Sequence, residues 1–110
     1  MQHANPYRGE IMLELGGLPC LLRPTFAALA EMESATGHSL IALARRLANG
    51  EARLLDLAAI AAAGLRGAGH DVPHDLKERI TQTGPLNVTE KLLDFLVAAI
   101  TGDATTTKGA

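Results

Sequence analysis

From Ile11 onward the apolar side chains fall at every second position, with Ile11, Leu13 and Leu15 alternating with Met12 and Glu14. A period of two is that of a strand with one buried face. Gly16-Gly17 follows, a pair suited to the positive φ angles of a two-residue hairpin turn, and Leu18-Pro19-Cys20-Leu21-Leu22 returns. The register can be written down. Leu15 faces Leu18, Leu13 faces Cys20 and Ile11 faces Leu22, and all six side chains share one face of the ribbon. A slip of one residue would turn half of them over, so the coincidence argues for this pairing. The other face carries Met12, Glu14, Pro19 and Leu21. Pro19 has no N–H to give to a ladder, so its nitrogen should point toward an edge.

From Thr25 the period becomes helical. Thr25 is the candidate N-cap of a first helix, with Phe26, Leu29 and Ala30 opening its apolar stripe and Gly37 stopping it. Ser39 caps a second, in which Leu40, Leu43, Ala44 and Leu47 follow the i, i+3, i+4, i+7 spacing of a buried face. A third runs from about Leu54 to Arg66, with Leu54, Leu57, Ala58, Ala61 and Leu65 on one face. Its alanines lie almost all the way round, which suits a central helix with close neighbours. Pro73 suits the first turn of a short fourth helix reaching Thr83, anchored by Leu76 and Ile80, with Lys77, Glu78 and Arg79 outward. After Gly84-Pro85, Asn87 and Glu90 resemble a cap and capping-box pair. Val88, Leu92, Phe95, Leu96 and Ala99 then form the cleanest stripe in the chain.

The expected fold is therefore α+β and mostly α: an N-terminal two-stranded β-hairpin packed on four to five short helices. A lone hairpin is marginal in water, so its leucine face must lie on the helices. Residues 1–8 read as a flexible arm, 9–102 as a single domain and 103–110, small and polar, as a disordered tail.

Composition narrows the function classes. Ten Lys and Arg against twelve Asp and Glu leave a net charge of −2, without the basic footprint of a nucleic-acid binder. Only 3% of residues are aromatic and there is no Trp, so the core must be made of Leu, Ile and Ala. A domain of 110 residues buries roughly two thirds of its unfolded surface, enough for one core but not for a core plus a deep substrate cavity. The single cysteine, Cys20, cannot staple its own chain and sits on the face expected to be buried, as a small hydrophobe. No run approaches the ~20 apolar residues of a membrane span, and the polar first ten residues lack the apolar segment of a signal peptide. With a lone thiol and neither span nor signal peptide, a cytoplasmic protein is expected.

The most site-like cluster is His70-Asp71-Val72-Pro73-His74-Asp75. Two histidines four apart on a helix can share a metal, but Pro73 between them puts His70 outside the helix. A polar loop is the reading preferred, and a small metal-dependent enzyme at His70 and His74 the distant alternative. Gly64-Leu65-Arg66-Gly67-Ala68-Gly69 lacks the Lys-Ser/Thr of a phosphate loop and follows a helix, so it reads as a helix C-terminus. Asp56, Glu31 and Glu33 read as solvated, with no spacing that forces two carboxylates together. Arg45, Arg46, Arg53 and Arg66 have no interleaved aromatics for stacking on bases. No catalytic residue, cofactor, metal or small-molecule substrate is indicated. Met12, Glu14 and Leu21 are left over by packing. Either the arm folds over them, or they are the docking face for another chain.

Three stretches carry a family resemblance. Asn5-Pro6-Tyr7-Arg8-Gly9-Glu10 leading into Leu-Glu-Leu-Gly-Gly, Phe26 to Glu33 followed by Gly37, and Asp56 to His70 together resemble the gene transfer agent family of small phage-derived proteins. That family is classed with phage tail assembly chaperones and also labelled tail tube-associated. The resemblance spans roughly Asn5 to Ile100, leaving out the Pro19-Cys20 pair and the residues after Gly102. It implies a non-enzymatic chaperone-like role, with tape-measure or tail tube proteins as partners and self-association into oligomers. The alternative it implies is a structural tail component retained in the particle.

Overall fold

The computed structural model describes residues 3–5 and 8–102. The remainder of the expected arm and the whole of the expected tail, 103–110, lie outside the described residues. The elements in order are β1 (Ile11–Leu15), β2 (Leu18–Leu22), α1 (Phe26–Thr36), α2 (Leu40–Ala48), α3 (Leu54–Gly67), α4 (Leu76–Thr83) and α5 (Pro85–Thr101). The described residues thus form a hairpin on five helices, α+β and mostly α.

β1 and β2 pair antiparallel in the register read from the sequence, with Leu15 opposite Leu18, Leu13 opposite Cys20 and Ile11 opposite Leu22. The turn needs both glycines: Gly16 and Gly17 have φ of 56° and 83°, the left-handed pair that matches strand twist. Leu13, Leu15, Cys20 and Leu22 enter the core, Ile11 packs at its margin and Leu18 stays at the rim. Two side chains of α4, Arg79 and the C-terminal Thr83, pin the turn. Arg79 donates to the Leu15 and Gly16 carbonyls at 3.2 and 3.1 Å, and Gly16 N donates to Thr83 Oγ1 at 2.7 Å. Arg79 is therefore half-buried rather than outward.

α3 is the central helix, touching β2, α1, α4 and α5, while α2 lies on α5 and β1 on α4. Its glycines set the spacing. A Cβ at Gly64 would stand 2.9 Å from Leu22 Cβ, and one at Gly67 would overlap the Arg23 carbonyl oxygen. Arg23 N also donates to the Gly64 carbonyl at 2.9 Å, tying the end of β2 to the helix. Gly67→Ala is expected to destabilise the fold by about 1–3 kcal/mol, because the gain of about 0.5–1 kcal/mol that alanine brings to a helix interior is smaller at the last helical residue. Urea unfolding measures the balance, and a neutral or stabilised variant would mean the helix–strand spacing is slack.

Four local expectations are corrected. In α1 the buried face is Ala28, Met32 and Thr36, not the stripe begun by Phe26 and Ala30; Phe26 is 88% exposed. α1 approaches α3 through the small Ala28, which a large ring could not do. Thr36 can join the face because its hydroxyl donates to the Met32 carbonyl at 2.7 Å. In α3 Leu54 and Leu55 point outward while Asp56 is buried. α4 begins at Leu76, because Pro73 to Leu76 makes a separate turn, closed by Leu76 N on the Pro73 carbonyl at 3.1 Å. α5 begins at Pro85, whose missing N–H is no loss at the first helical position. Asn87 is consequently inside the first turn, donating to the Thr83 carbonyl at 3.0 Å rather than capping. The expected caps Thr25 and Ser39 do accept from Ala28 N and Ala42 N, both at 3.1 Å.

Candidate functional site

The two histidines are not brought together as a site. His74 is exposed, whereas His70 is half-buried and lines a shallow pocket with Leu18, Pro19, Cys20, Leu21, Leu65, Asp71 and Pro73. Among the described residues, no three His, Cys, Asp or Glu side chains are grouped to hold a metal ion. Cys20 is buried and free. Burial pushes its thiol pKa up, with Arg79 countering in part, so the thiol stays protonated and is a poor nucleophile. The Gly64 to Gly69 stretch closes α3 and packs it on β2, as its helical context indicates.

The buried carboxylates are clamps. Asp56 was expected to be solvated but is 1% exposed. Its Oδ2 accepts from Arg53 N at 2.8 Å and Arg53 Nε at 3.0 Å, and its Oδ1 accepts from an Arg53 terminal nitrogen at 2.7 Å. The same guanidinium donates to the Thr36 carbonyl at 3.1 Å, so the group ties the start of α3 to the end of α1. Burial alone would raise the Asp56 pKa; the hydrogen bonds from the Arg53 side chain and backbone, with the charges of Arg53 and His38, more than offset it and hold the carboxyl below its ordinary value. The signal in the sequence was an acid three residues after a helix start. Glu10 does the same work at the N-terminal end, accepting from Asn5 N at 2.8 Å and Arg23 Nε at 2.6 Å. There too the desolvation that would raise the pKa is outweighed by Arg23 and the Asn5 N–H. Glu31 pairs with Arg66, and Glu33 accepts from Leu40 N at 3.0 Å. None of these acids faces a second one across an apolar pocket.

Of the hairpin's second face, Glu14 is exposed, Met12 is half-buried and Leu21 is 6% exposed. The Leu65 and 70–73 region closes toward Leu21, which leaves Glu14 and part of Met12 facing solvent. The larger apolar surfaces lie on the helices. Ile41, Ala44 and Ala48 of α2 and Leu93, Val97 and Ile100 of α5 line an open groove. Leu54 and Leu55 at the start of α3 flank a second depression, with Ile80 at its floor. Ile41, Val97 and Ile100 were legible as apolar residues beside the buried stripes. Their helical positions put them just outside the Leu43–Leu47 and Leu92–Leu96 faces, where they stay partly exposed.

No helix among the described residues is long and apolar enough to cross a membrane. No curated protein and no solved structure matches the chain. One family does, over residues 8–102, from three residues before β1 to the C-cap of α5. The chain belongs to the family described as phage tail tube protein, GTA-gp10, and is thus a member of a phage tail protein family.

Proposed function

We propose that the protein is a non-enzymatic component of the tail of a phage-derived gene transfer particle, retained in the finished assembly and acting by contact with other tail polypeptides. The observation that carries this reading is the family match across every element of the fold. Its surface supports the same reading. Large apolar side chains face outward on four helices, namely Phe26, Ile41, Leu54, Leu55, Leu86, Val97 and Ile100, and where they gather, as Ile41, Val97 and Ile100 do along the α2–α5 groove, a contiguous patch favours association. The depressions between them are shallow and apolar, and suit association more than turnover.

Mass spectrometry of purified particles tests the proposal. The protein is expected in the tail at a stoichiometry comparable to other tail components, and deletion of its gene should leave particles without complete tails. A protein required for tails yet absent from finished particles would instead be a chaperone that leaves during assembly. Val97→Asp should leave the melting temperature nearly unchanged, because an exposed substitution costs no more than about 0.5 kcal/mol, while lowering the amount of protein recovered in particles. Normal incorporation of that variant would remove the α2–α5 groove from the contact surface.

A further inference from the structure

The open edge of β1 and the neighbouring acidic side chains of α5 form a groove. The two strands are unlike at their outer edges. Leu15 and Leu18 flank a two-residue turn and exchange hydrogen bonds, and such pairs alternate along an antiparallel ribbon. Leu13–Cys20 and Ile11–Leu22 are therefore the other bonded pairs. Met12 and Glu14 on β1, and Pro19 and Leu21 on β2, turn their backbone groups away from the partner strand. On β2 that edge is blunted, since Pro19 has no N–H and the chain beyond it is tied to α3 through Arg23 N. On β1 the same edge is met only at its two ends, where Glu10 N donates to the Asn5 carbonyl at 3.1 Å and Gly16 N to Thr83 Oγ1 at 2.7 Å; between them no hydrogen bond among the described residues engages the outward backbone groups of Met12 or Glu14.

Beside this edge runs a cleft lined by Leu13 and Glu14 of β1, Thr83 at the end of α4, and Asn87, Glu90, Lys91 and Asp94 of α5. It carries three carboxylates against one ammonium. Glu90 and Asp94 are four apart on the same helix, an arrangement of like charges that weakens an isolated helix. The four ion pairs of the described residues go to Glu10, Glu31, Asp56 and Asp75. Glu14, Glu90 and Asp94 are left without one.

We propose that this groove takes an extended, basic polypeptide segment as a third strand. The unpaired edge supplies backbone hydrogen bonds, which only an extended chain can meet. The acidic walls select lysine or arginine at its alternate positions, since side chains of an added strand alternate between the α5 side and the side of Glu14. The identification of the segment as part of a tail polypeptide rests on the proposed function; the groove's preference for a basic strand does not.

Fluorescence anisotropy and amide chemical-shift mapping with synthetic peptides test this. The probes are a peptide alternating lysine and valine, its counterpart alternating glutamate and valine, and the lysine peptide N-methylated on alternate residues. The lysine peptide should bind and shift the amides of Met12, Leu13 and Glu14 and of 87–94. The other two should bind at least about tenfold more weakly, a difference of about 1.4 kcal/mol. The double variant E90K/D94K, altered only at exposed positions of α5, should lose about tenfold in affinity while keeping its circular dichroism and melting temperature. Binding that ignores N-methylation, or shifts confined to another face, would overturn the proposal. So would concentration-dependent dimerisation through β1, because a second copy would then occupy the edge. Absence of the protein from purified particles would defeat the proposed function but leave peptide binding untouched, so the two failures are distinguishable.

Discussion

Phe95→Ala is expected to lower the unfolding free energy by about 3–5 kcal/mol, which is a large share of the 5–15 kcal/mol that ordinarily holds a domain together. Phe95 is completely buried in the cluster that joins β1, β2 and all five helices. Among the described residues it is the only aromatic side chain there, in a core otherwise built of leucine, alanine and a few other small or apolar groups. Removing it leaves a void that leucine and alanine neighbours cannot fill without moving the helices. The control is Phe26→Ala. Phe26 opens α1 with most of its ring in water, so its loss should change stability by no more than about 0.5 kcal/mol. Urea titration of the two variants compares them directly. Equal effects would contradict the packing described for both rings.

Asp56→Ala should cost about 2–4 kcal/mol near neutral pH, from the loss of a charged hydrogen-bond acceptor and of the α3 cap together. The effect should fade in acid. The folded protein holds the Asp56 pKa below its ordinary value, so the contribution is fully present above the unfolded carboxylate pKa of roughly 4. It is lost as pH falls through the still lower folded value. Glu10, whose pKa is also depressed, acts with the same sign. Melting temperatures recorded from neutral to about pH 2 should therefore show wild type and Asp56→Ala converging as the acid end is approached. A gap that stayed constant would mean the carboxylate contributes through shape alone. Asp56→Asn keeps an acceptor for Arg53 N but not the charge, and should fall between the two.

These two positions also mark how far the sequence could be read. The hairpin was legible to the residue, because a strand's period of two and a two-glycine turn leave one register that gathers Leu13, Leu15, Cys20 and Leu22 on the same side. The caps at Thr25 and Ser39 were legible for a local reason too: a hydroxyl before a helix meets an N–H three residues on. The α5 stripe of Val88, Leu92, Phe95 and Leu96 needed only the helical period. Other features were beyond local reading. Phe26 satisfied the pattern of an apolar stripe, yet the close approach of α1 to α3 at Ala28 turned the ring outward. Asp56 looked like any helix-surface acid until Arg53 folded over it. The cleft beside β1 was not legible at all, since Glu14 is separated from Glu90 and Asp94 by the length of the chain.

Periodicity, turn chemistry and capping thus specified the hairpin, most of the helices and the faces of the strongest stripes, because each depends on neighbours a few residues away. The family was accessible at the same level, since the matching stretches are contiguous. Tertiary structure alone decided which apolar side chains stay in water, which carboxylates are taken out of it, and which strand edge is left open. Those outcomes depend on how closely two elements approach, and that distance is set by residues remote in sequence, such as Gly64 and Gly67 against Leu22 and Arg23.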